Sequence, residues 1–317
     1  MYHDAFDQRS RQIVNQQQQT LGLAAAFSAF SLWGFLPLYF YIIDDRIPVT
    51  GILVHRVIWA AILLALFTLL SGRTSRVLAV IGNRRMLLAL SCSALLITIN
   101  WGTFIWAVTH GHVLESSLGY YINPLLNILL GFCFLRERLR RMQCLAVGTA
   151  TIGVLIMVIG YGQIPWISLI LAGCFGAYGL IRKQVQVDSG TGLLIETSLQ
   201  MPFAMLWLAW LYVEGSAGFL RLNASTDLLL VGCGVITLVP LILFASGARR
   251  LRLGTLGLIQ YITPTLQLFT GVIILGEAFT SADAITFAFI WAGLFIYTSD
   301  ALTYQRRARQ LGGQETA

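Results

Sequence analysis

Four ionisable side chains stand in stretches that are otherwise apolar: His55 and Arg56 in "GILVHRVIWAA", Glu115 in "HVLESSLGYY" and Glu196 in "GLLIETSL". A charge at the centre of hydrocarbon costs about 3 kcal/mol or more, so such groups mark a gate, a proton relay or a ligand site. The imidazole of His55, with an ordinary pKa near 6.5, suits a switch. The simplest assignment pairs Arg56 with Glu115 at one gate and turns Glu196 towards the basic stretch around Arg250 and Arg252 at another. Snorkelling of Arg56 to lipid headgroups is the plainer alternative.

A second set of polar groups gathers around two prolines. "SLGYYINPLLN" places Tyr120, Tyr121, Asn123 and Asn127 beside Pro124, and "GLIQYITPTLQ" places Gln260, Tyr261, Thr263, Thr265 and Gln267 beside Pro264. A proline inside a helix donates no hydrogen bond and crowds the carbonyl four residues back, here that of Tyr120 and of Gln260. In lipid a freed carbonyl is tolerated only where protein or a water-filled cavity covers it. The two groups therefore predict one polar hollow near the membrane midplane, with Asn100 and Trp101 on its wall, where a small solute binds. A kink that merely shapes helix packing is the competing reading.

Other chemistries find no support. The sole lysine, Lys183, is followed by Gln, so no phosphate-binding loop for ATP is present. Neither Gly-x-Ser-x-Gly nor His-Glu-x-x-His occurs, and Asp44 and Asp45 form an isolated acidic pair. No catalytic residue is assigned, and a polytopic membrane enzyme or a non-transporting membrane protein stands as the alternative to a carrier. His110 and His112 have metal-compatible spacing but lack thiolate or carboxylate partners in a ligand pattern, so neither metal nor cofactor is assigned. The 5 cysteines all fall in apolar segments, outside any Cys-x-x-Cys pair, and read as packing.

The elements that must position these groups are membrane helices. The 317 residues are 57% hydrophobic and only 11% charged, with a mean hydropathy of +0.75, whereas soluble domains carry about 25% charge. About twenty apolar residues cross the hydrocarbon core. Stretches of that kind lie near 20–41, 50–71, 86–108, 113–135, 142–161, 166–182, 190–213, 226–248, 254–276 and 282–303. The polar first nineteen residues lack the pattern of a cleaved signal, so the first span is expected to serve as its own anchor. Of the 21 Lys and Arg residues, all but Arg46, Arg56 and Arg221 fall in the tails or in alternate connections, which predicts both termini in the cytoplasm. Charges spread in this way mark topology rather than a nucleic-acid surface.

The chain is also written twice. Shifting Leu118–Ile156 forward by 140 residues aligns Tyr121 with Tyr261, Pro124 with Pro264, Glu137 with Glu277 and Gly153 with Gly293. "TGILVH" (Thr50 to His55) matches "TGLLIE" (Thr191 to Glu196) at nearly the same displacement. Five spans per copy is an odd number, so the second copy enters the membrane from the opposite face, an arrangement known from secondary transporters. The predicted fold is all-α, with ten transmembrane helices in two inverted five-helix repeats. Residues 1–19 form a polar N-tail, 20–161 the first repeat, 162–303 the second and 304–317 a C-tail.

Several segments taken in order, "SLWGFLPLYF", "HRVIWA", "NWGTFIWAV", "LESSLGYYINPLLN", "ERLRRMQ", "AYGLIRK", "TGLLIET" and "RLRLGTLGLIQYITPT", resemble the RarD branch of the drug/metabolite transporter superfamily, built from EamA-type repeats. The resemblance covers nearly all of residues 20–305. It implies a permease or exporter of the bacterial inner membrane, of a type linked to chloramphenicol sensitivity, that moves a small metabolite or drug-like solute without ATP. Tyr41 departs from the pattern, in which a lysine follows "YF". Proton coupling and pairing into a homodimer stay open, as does the identity of the solute.

Overall fold

A computed structural model of the chain describes residues 2–135, 140–161, 164–185, 187–251 and 259–314; the side chains of Pro124 and Asn127 lie outside the described residues, as do residues 136–139 and 252–258. The described residues fold into helices α1 (Tyr2–Gly34), α2 (Leu36–Tyr41), α3 (Val49–Leu70), α4 (Thr74–Ile81), α5 (Arg84–Thr109), α6 (Val113–Leu135), α7 (Arg141–Tyr161), α8 (Trp166–Val185), α9 (Ser189–Glu214), α10 (Ala224–Arg250), α11 (Ile262–Phe269) with a π turn at Thr270–Ile274, and α12 (Ser281–Gln314). The protein is an all-helical integral membrane protein. Among the described residues six helices are long and apolar enough to cross a membrane, and three further apolar helices are shorter.

Polar residues mark the helix starts, because the first backbone N–H groups of a helix lack intrahelical acceptors. Asn83 accepts from the N–H of Arg85 and Met86 at α5, Asp188 from Thr191 at α9, and Asn223 from Thr226 at α10. The start of α6 uses a distant side chain: Glu277 accepts from the N–H of Val113 at 2.6 Å and of Leu114 at 2.7 Å. A carboxylate there also suits the positive end of the helix dipole. The first span breaks at Phe35, between α1 and α2, where Pro37 cannot donate to the carbonyl of Trp33. Gln267 Nε2 takes up that carbonyl at 3.3 Å.

The predicted proline kink is corrected at Pro264. A turn at Gln260 and Tyr261 precedes α11, which starts at Ile262. Pro264 therefore sits in a first helical turn, where its missing N–H costs nothing. The carbonyl of Gln260 is not free, because it accepts from the N–H of Thr263 at 3.2 Å.

The principal packing partners are α1 with α10, α5 with α8, α6 with α8, α1 with α11, α3 with both α9 and α10, α6 with α11, and α7 with α12. Small residues allow the closest crossings. A Cβ added at Gly293 of α12 would lie 2.7 Å from the carbonyl oxygen of Ala146 in α7, and one at Gly153 of α7 would lie 2.8 Å from Phe289 Cβ. Without hydrophobic drive between helices in lipid, such close van der Waals approach is what holds them together.

Candidate functional site

Arg56 projects from the second turn of α3 into the bundle and is only 4% exposed. Its Nε donates to Thr237 Oγ1 of α10 at 3.1 Å. The guanidinium lies 4.2 Å over the ring of Trp101 from α5 and 5.7 Å from that of Phe40 from α2. Nη1 is buried and has no hydrogen-bond partner among the described residues. A cation–π contact shielded from water is worth about 2 kcal/mol, which offsets only part of the cost of burying a guanidinium.

The pairing of Arg56 with Glu115 expected from the sequence does not form. Glu115 lies in the first turn of α6 at the bundle end, where its Oε1 is 2.9 Å from Nδ1 of His112. Arg56 is aimed instead at the aromatic interior. Tyr120 of α6 joins it there: its ring meets Phe104 at 5.7 Å, and its hydroxyl reaches Asn100 Oδ1 at 3.5 Å. Asn100 is anchored in turn through Nδ2 to the carbonyl of Leu171 in α8, at 3.0 Å. Arg56, Trp101, Asn100 and Tyr120 thus form one centre, drawn from α3, α5 and α6, with Phe40 and Thr237 closing it.

Glu196 builds a second centre in the half of the bundle nearer the Arg84 end. It is fully buried. Ser93 Oγ donates to its Oε1 at 2.5 Å, Tyr178 OH to its Oε2 at 3.4 Å, and Arg182 Nη1 lies 3.6 Å from Oε1. The expected approach to the stretch around Arg250 is therefore corrected: Arg182, in the last turn of α8, reaches Glu196 in the second turn of α9 instead. Arg250 bonds Gln18 and Ser246 instead. His55 stands in "TGILVH" where Glu196 stands in the similar segment "TGLLIE". His55 is 1% exposed, accepts from Trp59 Nε1 at 3.3 Å, packs at a tilt 4.8 Å from the Phe219 ring, and its Nε2 has no hydrogen-bond partner among the described residues.

The remaining candidates divide by helix face. Tyr121 points away from Tyr120, into a cluster with Phe287 and Trp291 of α12, and its hydroxyl meets Thr265 Oγ1 at 2.6 Å. Tyr261 packs against the same cluster. Ser117 Oγ donates to the carbonyl of Pro264 at 2.6 Å, which ties α6 to α11. Thr263 and Gln267 bond the carbonyls of Phe30 and Trp33 in α1, so they join helices, while Gln267 Oε1 and Asn123 Oδ1 are buried acceptors with no donor among the described residues. Gln260 lies half-buried in the turn before α11. His110 and His112 stack on Trp106, and among the described residues no cluster of three metal-binding side chains exists.

Ser93, Tyr178, Arg182, Thr237 and Phe40 were missed as site residues by the sequence. Arg182 was legible in principle: both it and Glu196 lie one to two turns from the α8–α9 connection, within reach of a long arginine side chain. Thr237 carried no such signal, because its meeting with Arg56 depends on the rotation of two helices 181 residues apart.

The family model of EamA-like transporters matches residues 20–159. An uncharacterized transporter of Vibrio cholerae is 44% identical, over 93% of this chain and 98% of its own. The protein RarD of Escherichia coli is 43% identical, over 93% of this chain and 99% of its own. A crystal structure at 19% identity aligns with a TM-score of 0.53 over 88% of this chain and 97% of that one, a likeness that concerns the fold alone.

Proposed function

This chain belongs to the EamA-like transporter family, in the branch of the RarD proteins, and from that premise we propose a secondary carrier of the bacterial inner membrane that moves a small solute by alternating access. Its binding centre is the group of Arg56, Trp101, Asn100 and Tyr120. Ten spans form two inverted halves, 20–161 and 162–303, with both termini in the cytoplasm.

The observation that carries this reading is the helix pairing. If α1, α3, α5, α6 and α7 of one half correspond to α8, α9, α10, α11 and α12 of the other, exchanging the halves turns the α1–α10 contact into α8–α5, and the α6–α8 contact into α11–α1. The α3–α9, α6–α11 and α7–α12 contacts map onto themselves. The close approaches follow the same rule: Gly34 meets Leu266, and Gly176 meets Leu126. Such a pseudo-twofold arrangement supports rocking of one half against the other around a fixed centre. The buried networks at His55 and Glu196, in equivalent positions, then serve as gates at opposite ends, and Glu196 offers a place for proton coupling.

Cysteines introduced singly at Ser93 and at Trp59 test the mechanism through their reactivity with a membrane-impermeant maleimide in oriented vesicles. Alternating access expects conditions that raise one reactivity to lower the other. A parallel rise at both positions would indicate an open pore and refute the carrier.

A further inference from the structure

We infer that the solute is an organic monoanion and that the guanidinium of Arg56 binds its carboxylate, an inference that rests on the carrier reading above. Two arginines that turn into the bundle, Arg56 and Arg182, are treated differently. Arg182 faces a carboxylate, that of Glu196. Arg56 is the more deeply buried of the two, yet forms no ion pair among the described residues.

Everything described around Arg56 is neutral. Trp101 and Phe40 present ring faces, Tyr120 and Cys233 are its titratable neighbours, and Thr237 both accepts from Nε and donates to the carbonyl of Cys233 at 2.9 Å. The donor left over is Nη1, buried and unpartnered. An uncompensated cation in a low-dielectric interior is unfavourable, and an anion placed against it would relieve that cost, which favours anion binding at Arg56. The stack on Trp101 holds the guanidinium plane fixed, and a fixed fork of N–H groups matches a carboxylate.

Charge and shape narrow the class. One cation neutralises one negative charge, so a doubly charged phosphate ester would remain half-compensated in this setting. The rings of Phe40, Phe104, Tyr120 and Trp101 surround the cation with apolar surface, which suits a carboxylate on an apolar or aromatic body. Asn100 and Tyr120 add polar contacts beside it.

Two measurements test the inference. In cells lacking the gene and complemented with wild type, Arg56→Lys or Arg56→Gln, solutes in medium and cytoplasm are compared. The solutes redistributed by wild type are expected to carry a single carboxylate. Arg56→Lys, which keeps the charge but loses the fork, should reduce their transport about tenfold or more, the size of one charge-assisted hydrogen bond, and Arg56→Gln should abolish it. If wild type redistributes only neutral or cationic solutes, or if Arg56→Gln transports as wild type does, the anion site is wrong while the carrier stands. If wild type redistributes nothing, the carrier reading falls and takes the site with it.

The second measurement is thermal unfolding of the purified full chain in nanodiscs, with benzoate, benzamide, benzylamine or phenyl phosphate. Benzoate alone should raise the Tm of wild type, and none should affect Arg56→Gln. Without ligand, Arg56→Gln should melt at or above wild type, because it removes an uncompensated buried charge. A lower Tm for unliganded Arg56→Gln would make Arg56 a structural cation. An equal response to benzamide or phenyl phosphate would overturn the monoanion.

Discussion

Replacing Arg182 by Met leaves Glu196, fully buried, with Ser93 and Tyr178 as its described partners. At the observed separation of 3.6 Å and an effective dielectric constant of about 20, the lost attraction is about 5 kcal/mol. Relief of the desolvation of Arg182 returns part of this, so the variant should lose about 3 kcal/mol. Glu196→Gln strands the arginine instead. The Arg182 side chain is 13% exposed and keeps the carbonyls of Val187 and Asp188 within reach, so about 1.5 kcal/mol is expected from that change. The double variant removes both charges and should cost no more than about 1.5 kcal/mol, which gives a coupling near 3 kcal/mol. Reversible unfolding of the purified chain by SDS in mixed micelles, followed by far-ultraviolet circular dichroism, measures all corners of the cycle. If the double variant costs the sum of the single ones to within about 0.5 kcal/mol, the pair contributes nothing and the assignment of this network as a lock between α8 and α9 is refuted.

Gly192→Ala should reproduce part of the Arg182→Met loss, because its Cβ would fall 1.6 Å from Arg182 Nη1 and push the guanidinium off Glu196; made in the Arg182→Met background, it should be nearly silent in the same unfolding assay. Gly293→Ala meets the backbone at Ala146, which cannot swing aside as a side chain can, so a loss of about 1–3 kcal/mol is expected, while Gly148→Ala, with open space around it, should be neutral or slightly stabilising. Asp188, outside the spans, carries a pH dependence. Burial raises its carboxyl, but the hydrogen bonds from Thr191, with Arg76 and Arg73 nearby, hold it on balance below the usual range. A group lowered in the folded state stabilises above its unfolded pKa of about 4 and loses that contribution as pH falls through the folded value. Asp188→Asn keeps a capping oxygen but loses the charge-dependent contribution, so it should flatten the acid limb of thermal melts between about pH 5 and pH 3 and melt slightly lower than wild type at neutral pH.

Much of the architecture was legible in residue order, because the quantities that decide it are local. Apolar length sets where a helix can lie in lipid, and six long apolar helices stand where the hydropathy of the chain predicts them. The match of Pro124 with Pro264 and of Gly153 with Gly293 in one register is what suggested an internal repeat, and the ordered motifs resembled the family to which the chain belongs. The burial of His55, Arg56 and Glu196 also followed from sequence, since each stands within an apolar run of the kind that fills a span.

Their partners did not follow. Arg56 and Glu115 have suitable charges, yet in the bundle Arg56 lies over Trp101 and Glu115 meets His112. Tyr120 and Tyr121 are neighbours in the chain, but a 100° step around α6 assigns the first to the Arg56 centre and the second to the packing against α12. Side-chain chemistry is written residue by residue. Which groups meet is decided by helix rotation, crossing and close approach at small residues, and these arise only when the whole bundle minimises exposed polar groups together.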